Sequence, residues 1–317
     1  MGSSASSIRI GSRGSALALA QATWVQKQIA VRRPDLDVEL VVIKTSGDRF
    51  LDASLRAIGG KGVFTREIED ALLEGKIDIA IHSMKDLPTE IAAGLVIAAI
   101  PEREDPRDVL VSRGANILKT LPAGTKIGTG SLRREAQLRH YRRDLAVAPI
   151  RGNVDTRLRK LDAGEVDALV MAAAGLKRIG QAARIAEFLS SDICVSAVAQ
   201  GALAVEARAD ASMRETLAFL NDAVARTEVS AERAFLCRLG GGCQVPVGAQ
   251  ATLDGTQLQI HGIVAKPDGS SLFRGEKTGK ATDAERLGEE LAEELLRAGA
   301  DTVLRNLNGG GTQHGAA

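Results

Sequence analysis

The chain has 317 residues, 44% hydrophobic, 26% charged and 3% aromatic, with a formal net charge of +1. That length and balance describe a globular protein of two or three domains and exclude a disordered or fibrous chain. With Trp24 and Tyr141 alone of their kinds, it is poorly supplied with the stacking platforms that read single-stranded nucleic acid, and no apolar run approaches the roughly 20 residues of a membrane span.

Short apolar runs alternate with helical periodicity through the first two thirds, which predicts βα units and a largely parallel sheet. A strand over 8–11 leads through Arg13 and Ser15 into a helix over 15–31, with Leu17, Ala20, Trp24 and Gln28 at helical spacing. A strand over 38–44, a helix over 65–73 and a strand over 77–81 follow, then strands over 95–100 and 109–112. Between these last two, Pro101 to Pro106 is a charged, proline-bracketed segment that reads as a hinge. Next come a strand over 126–128, a helix over 132–142, a strand over 146–150, a helix over 154–161 and a strand over 168–171. Gly75-Lys-Ile-Asp-Ile-Ala-Ile and Gly164-Glu-Val-Asp-Ala-Leu-Val each follow a predicted helix and lead into a strand. This internal echo suits two similarly built α/β domains. Beyond about residue 221 the texture changes to a helix over 228–239, a glycine run, alternating strands over 245–252, 258–264 and 271–276, and an amphipathic helix over 283–297. These form a small third α+β domain, and 309–317 read as a loose tail.

Charge is unevenly spread. Between Arg113 and Lys160 stand twelve Lys or Arg against three acids, which leaves the remainder near minus eight. Gly128-Thr-Gly-Ser-Leu-Arg-Arg-Glu runs from a strand through a tight turn into a helix with Ser131 as its N-cap. Free backbone N–H groups gather there, and Arg133 and Arg134 add charged donors beside them. The Walker pattern is absent, which disfavours a nucleotide. Arg13 with Ser15, and Arg151 with Arg157, stand at further strand-to-helix junctions, and Arg178 follows the strand over 168–171. Together they line a cleft suited to a ligand with many carboxylates.

The strand over 77–81 runs into His82-Ser-Met-Lys-Asp-Leu-Pro, so Lys85 and Asp86 project together before Pro88 forces a turn. Asp86 is placed to shuttle a proton or stabilise a developing cation. His82 reads as a packed histidine. The four histidines show no metal-ligand spacing with the cysteines, so no metal is expected. Three cysteines, Cys194, Cys237 and Cys243, without a C-x-x-C pair suit a reducing compartment, and residues 1–7 carry no leader pattern, so the expected location is the cytoplasm. Cys243 ends a triple glycine that removes side-chain bulk and lets something large approach. Neither a papain-type nor a caspase-type signature surrounds it, and a thiol that forms a lasting thioether fits better than a hydrolase nucleophile.

Five stretches in this order, Ile-Arg-Ile-Gly-Ser-Arg, His-Ser-Met-Lys-Asp-Leu-Pro-Thr, Gly-Thr-Gly-Ser-Leu-Arg-Arg, Arg-Gly-Asn-Val-Asp-Thr-Arg-Leu and Gly-Gly-Cys-Gln-Val-Pro-Val-Gly, closely resemble the porphobilinogen deaminase (hydroxymethylbilane synthase) family, over about 8–304. The resemblance implies two periplasmic-binding-protein-like α/β domains and a smaller C-terminal α+β domain. It divides the chain into 1–101 with 201–220, then 102–200, then 221–317. It implies a dipyrromethane cofactor on Cys243 that primes the head-to-tail addition of porphobilinogen units with loss of ammonia, giving linear hydroxymethylbilane. By the same resemblance Asp86 protonates the leaving amine and stabilises the positive azafulvene and pyrrole nitrogens. Ser83, Lys85, Asp86, Thr129, Ser131, Arg133, Arg134 and Arg157 are implied on the cofactor. Arg13, Ser15, Gln21, Arg151, Arg178, Gln200 and Arg233 are implied on the substrate, with Lys61 on a mobile loop from Gly59 to Phe64. Gly130 stands where the family often has serine. A monomer acting on a small molecule, without nucleic acid or membrane, is the implied assembly. The rival reading is a non-enzymatic anion-binding protein of the periplasmic-binding type, for which Cys243 and the third domain would have no use.

Overall fold

The computed structural model describes residues 7–46, 65–114, 116–240 and 245–309, with side chains to 305. Lys61 and its loop, Cys243 and the tail over 310–317 lie outside the described residues.

Strands β1 (Ser7–Ser12), β2 (Asp37–Val42), β3 (Ile79–Ser83) and β4 (Leu95–Ala99) come first, and the chain then crosses through Pro101 to Arg107 into a second sheet. That sheet holds β5 (Asp108–Ser112), β6 (Lys126–Gly128), β7 (Ala146–Ala148), β8 (Ala168–Ala172) and β9 (Glu187–Phe188). The chain returns to the first sheet as β10 (Leu203–Arg208). The orders are β2-β1-β3-β10-β4 and β7-β6-β8-β5-β9. The largely parallel sheet expected from the apolar runs is corrected here. β1 is parallel to β2 and β3, and β6 to β7 and β8, but β10 runs antiparallel to β3 and β4, and β5 antiparallel to β8 and β9. A strand buried on both faces reads as the same apolar run in either direction, so periodicity could not tell them apart.

The glycine echo becomes a shared local structure. Gly75 and Gly164 hold φ of 69° and 80°, the left-handed region that ends a helix without a Cβ penalty. Behind them the Lys76 amide donates to the Ala71 carbonyl (2.9 Å) and the Glu165 amide to the Lys160 carbonyl (3.0 Å), the longer bond of a Schellman cap. Three residues past each glycine an aspartate ties the chain to the neighbouring parallel strand. The Asp78 and Asp167 amides donate to the carbonyls of Arg9 and Lys126, and the two carboxylates accept from those same residues' amides at 2.9 Å. Each aspartate thus sets the register with which its strand enters the sheet.

β11 (Val247–Asp254), β12 (Gln257–Ala265) and β13 (Leu272–Lys280) form an antiparallel sheet covered by the helices Ala223–Arg238 and Ala284–Leu295. The helix Asp301–Gly309 was not expected from the sequence, so Gly309 closes a helix and does not begin a tail. The core of this unit runs without a break into Met84, Leu87 and Ile100 beneath the first sheet. At the junction the buried Glu232 carboxylate takes both guanidinium arms of Arg103 (2.8 and 2.9 Å), the Ala199 amide (2.6 Å) and the Ala251 amide (2.7 Å). One side chain therefore joins both crossings between the sheets to the third sheet.

The two covering helices meet at Gly288, where a β-carbon would press on the Ala231 carbonyl oxygen and lie 2.9 Å from the Phe235 amide. Gly288→Ala is expected to cost about 1–3 kcal/mol, as overpacking of a close-packed core does. Thermal unfolding should show the loss as a fall of several degrees in Tm, and an unchanged Tm would rule out so close an approach.

Candidate active site

The strand ends assemble one cleft. β1 ends at Ser12 and delivers Arg13, and Ser15 caps the helix Ala16–Arg32 by accepting from the Ala18 amide (3.3 Å). β3 ends at Ser83, and a single helical turn, Met84–Asp86, carries Lys85 and Asp86 away from it. Across the cleft β6 ends at Gly128, and Ser131 caps the helix Leu132–Tyr141, which presents Arg133 and Arg134 in its first turn. β7 leads to Arg151, and Arg157 follows on the helix Val154–Asp162. Ligands of α/β sheets collect at such carboxyl ends.

Between these ends lies a cavity of about 610 Å³. Its walls include the cations Arg13, Lys85, Arg133, Arg134, Arg151 and Arg157, with Ser15, Gln21, Ser83, Ser131 and Gln200. Asp86 is the one carboxylate among its described lining residues and is exposed to it. A chamber of about 80 Å³ adjoins it, shares Gln21, Ser83, Lys85, Arg134 and Arg157, and adds Arg178. Gln21 Nε2 donates to Ser83 Oγ at 2.9 Å, which fixes both side chains on one wall.

Crowding of like charge away from water sets the electrostatics. Burial, with Arg134 and Arg133 adding repulsion, brings Lys85 down to about 8 against the pull of Asp86 and Asp108. Burial, then Arg134 and Arg151, lowers Arg157 to about 10, and burial lowers Arg178 to about 10 against the attraction of Glu104. Burial and, for Lys85 and Arg157, like neighbours thus disfavour the positive charge of these wall cations. An anionic ligand restores it, so the site is organised around a partner of opposite sign.

Three of the sequence-derived residues do not line the cavity. Thr129 is buried beneath the turn, its Oγ1 accepting from the Ser131 amide (3.3 Å). Arg233 donates to the carbonyls of Pro88 and Thr89 (2.7 and 2.9 Å), so it clamps the loop behind Asp86. Arg178 ends the helix Ala173–Arg178, reaches only the smaller chamber and donates to the Gly201 carbonyl (2.6 Å). His82 is packed as expected, its Nε2 3.0 Å from Glu206 Oε2 on β10. At Gly130 a β-carbon would lie 2.9 Å from the Ile150 carbonyl oxygen, so glycine permits the tight approach of this turn to β7.

The residue that sequence reasoning missed is Asp108. It is 0% exposed, accepting from Arg133 Nη1 (2.6 Å), Arg134 Nη2 (2.8 Å), Gln200 Nε2 (2.8 Å) and the Cys194 thiol (3.2 Å). The two guanidiniums hold its carboxyl well below the usual range in spite of burial, and burial beside that carboxylate pushes the Cys194 thiol up to about 12. Its one sequence signal was an acid opening an otherwise apolar strand.

Two α/β lobes with the same pattern of parallel and antiparallel strand pairs, facing each other across a cationic cleft with one exposed carboxylate among its described lining residues, define a two-lobed protein built to hold a small polyanion. The family described as "Porphobilinogen deaminase, dipyromethane cofactor binding domain" matches residues 8–216, and "Porphobilinogen deaminase, C-terminal domain" matches 226–297. Porphobilinogen deaminase of Pelobacter propionicus is 50% identical over 95% of this chain and 97% of its own length. That of Syntrophotalea carbinolica is 50% identical over 96% and 97%. Among solved structures the methionine-binding protein MetQ is similar at 14% identity and a TM-score of 0.42, over 67% of this chain and 87% of that one. The chain belongs to the porphobilinogen deaminase family. It is a hydroxymethylbilane synthase that uses a dipyrromethane cofactor to join porphobilinogen units head to tail with loss of ammonia. The rival reading as a non-enzymatic binding protein is thereby set aside.

Replacing Asp108 with Asn leaves Arg133 and Arg134 buried without their counter-charge. A loss of about 3–5 kcal/mol is expected, the cost of breaking a buried ion pair from one side. Denaturant unfolding of the full chain measures it, and a loss below 1 kcal/mol would show that the two arginines find other partners.

Proposed function

We propose that the dipyrromethane is joined by a thioether to Cys243 and lies in the 610 Å³ cavity with its acetate and propionate groups on the cations of the walls. The observation that carries this reading is six cations against one carboxylate among the described lining residues of a single cavity, with Asp108 behind the wall pairing two of the six. Each pyrrole brings two carboxylates, so a primer of two rings and a growing chain call for such an excess. The residues present fit the group in a second way: Thr65 is among the cavity's lining residues, and its buried hydroxyl has no hydrogen-bond partner among the described residues.

When bound, the dipyrromethane supplies the terminal ring to which the next unit is added. Lys85, Ser83, Ser131, Arg133, Arg134 and Arg157 hold and orient its carboxylates, Arg133 and Arg134 from positions that Asp108 has already fixed, and Thr129 supports them by shaping the turn beneath Ser131. Arg13, Ser15, Gln21 and Arg151 receive the incoming porphobilinogen, with Arg178 from the adjoining chamber, Arg233 through the loop it clamps, and Lys61 from its loop. Asp86 gives a proton to the departing amine of porphobilinogen. Its carboxylate then stands as the sole described negative wall group facing the cation left on the substrate.

The domains on this reading are 1–101 with 201–220, 102–200 and 221–317, a division that the sheet membership of β10 supports. The enzyme works as a monomer in the cytoplasm on a small molecule, with no nucleic acid or membrane as partner. Among the described residues no helix is long and apolar enough to cross a membrane.

Intact-mass measurement of the active enzyme should exceed the 33.3 kDa chain by one dipyrromethane, and Cys243→Ser should abolish the increment. An active chain of bare mass would refute the attachment. Asp86→Asn should retain the added mass and lose turnover by roughly 10²–10⁴-fold, the range of general acid catalysis. Near-normal kcat would remove Asp86 from the chemistry.

A further inference from the structure

We infer that Gln200 is a positioning residue, joining the interdomain crossings to Lys85 and Arg134, and that it does not itself bind substrate. The inference rests on the functional reading above and revises the part the sequence assigned to this residue.

A glutamine amide can donate two hydrogen bonds and accept two. Gln200 is 0% exposed, and all four are in use. Its Nε2 donates to the Pro106 carbonyl (2.7 Å) and to Asp108 Oδ1 (2.8 Å), while its Oε1 accepts from Lys85 Nζ and Arg134 Nη2, both at 3.3 Å. No capacity remains for a substrate carboxylate unless one of these bonds breaks. Pro106 lies on the first crossing between the sheets and Gln200 on the second, so one side chain spans both crossings and two cations of the cavity wall.

The backbone is held for this purpose. Ala199 adopts φ of 58°, which a residue with a side chain seldom does, and Gly201 adopts 88°. The unusual turn is secured from both sides: the Ala199 amide donates to Glu232 (2.6 Å), and Arg103 Nε donates to the Gln200 carbonyl (3.0 Å). At Gly201 a β-carbon would collide with the Glu104 carbonyl, so the two crossings pass in contact. Pro106 on one crossing, Gln200 on the other and the cations Lys85 and Arg134 thus form one hydrogen-bonded set, which ties the crossings to the orientation of cations on the cavity wall.

Lys85 faces Asp86 on its own turn, Asp108 on β5, and Arg133 and Arg134 on the helix across the cleft, with Gln200 supplying its neutral acceptor. Without that acceptor the ammonium form loses support and the proton leaves at lower pH, because a hydrogen bond to the charged form favours it. The test is the pH profile of kcat/KM for porphobilinogen, taken on cofactor-loaded full-length enzyme with and without Gln200→Met. The positioning role requires the alkaline limb to shift down by about one pH unit, with KM on the acid side changed less than twofold. A KM raised at every pH with the limb unmoved would overturn it and make Gln200 a substrate ligand. Wild type without turnover would instead count against the functional reading itself, so the two failures are separable. Should Gln200→Met fail to fold, a crystal structure of the loaded wild type with porphobilinogen decides. The amide still bonded to Pro106 and Lys85, and beyond hydrogen-bond reach of any pyrrole carboxylate, supports the role; the amide turned onto substrate refutes it.

Discussion

A single buried carboxylate governs the arrangement of the cleft. Asp108 sits at the first position of β5 and neutralises Arg133 and Arg134 from behind, so two guanidiniums can stand in a poorly hydrated wall without repelling each other apart. A buried ion pair contributes little net stability when compared with apolar packing, but removing one partner is severe. Its value here is geometric. The arginines are fixed before any ligand arrives, and a binding site whose charges are already in place loses little in reorganisation.

The same residue links the cleft to the architecture around it. Asp108 meets Gln200, Gln200 meets the first crossing at Pro106, and Arg103 on that crossing meets Glu232 on the helix of the third unit. These contacts form one continuous polar path through the only described places where the chain passes between the two mixed sheets. Around it the apolar clusters are separate, one under each face of the sheets, except where the third unit shares its core with Met84, Leu87 and Ile100. The helix turn that carries Lys85 and Asp86 is therefore seated partly on the third unit, the unit whose helix Ala223–Arg238 precedes Cys243 in the sequence.

The site chemistry proposed here follows from the excess of positive over negative groups among the described lining residues. Lys85 and Arg157 hold their protons less tightly than usual because burial and like neighbours oppose them, and Arg178 because burial does. Such a cleft recovers free energy when carboxylates enter. On the reading proposed above, Asp86, the one acid among the described lining residues, faces the cation that the reaction forms. A polyanionic chain and a transient cation can thus be held by one wall without conflict.

Much of this was legible in the sequence because the signals are local. Strand ends, N-caps at Ser15 and Ser131, the paired Gly-x-x-Asp caps and the arginines at strand-to-helix junctions are each set by a few neighbouring residues, and the structure brings Arg13, Lys85, Arg134, Arg151 and Arg157 to one cavity. What only the tertiary structure decided depends on residues far apart in the chain. The insertion of β10 antiparallel between β3 and β4, the pairing of Asp108 with side chains 25 and 92 positions away, and the Glu232 junction leave no periodic trace, because apolar strands read alike in both directions. Likewise an acid at a strand end reads alike whether it meets water or two arginines, and the positions of Thr129, Arg178 and Arg233 relative to the cleft were set by packing that no local pattern encodes.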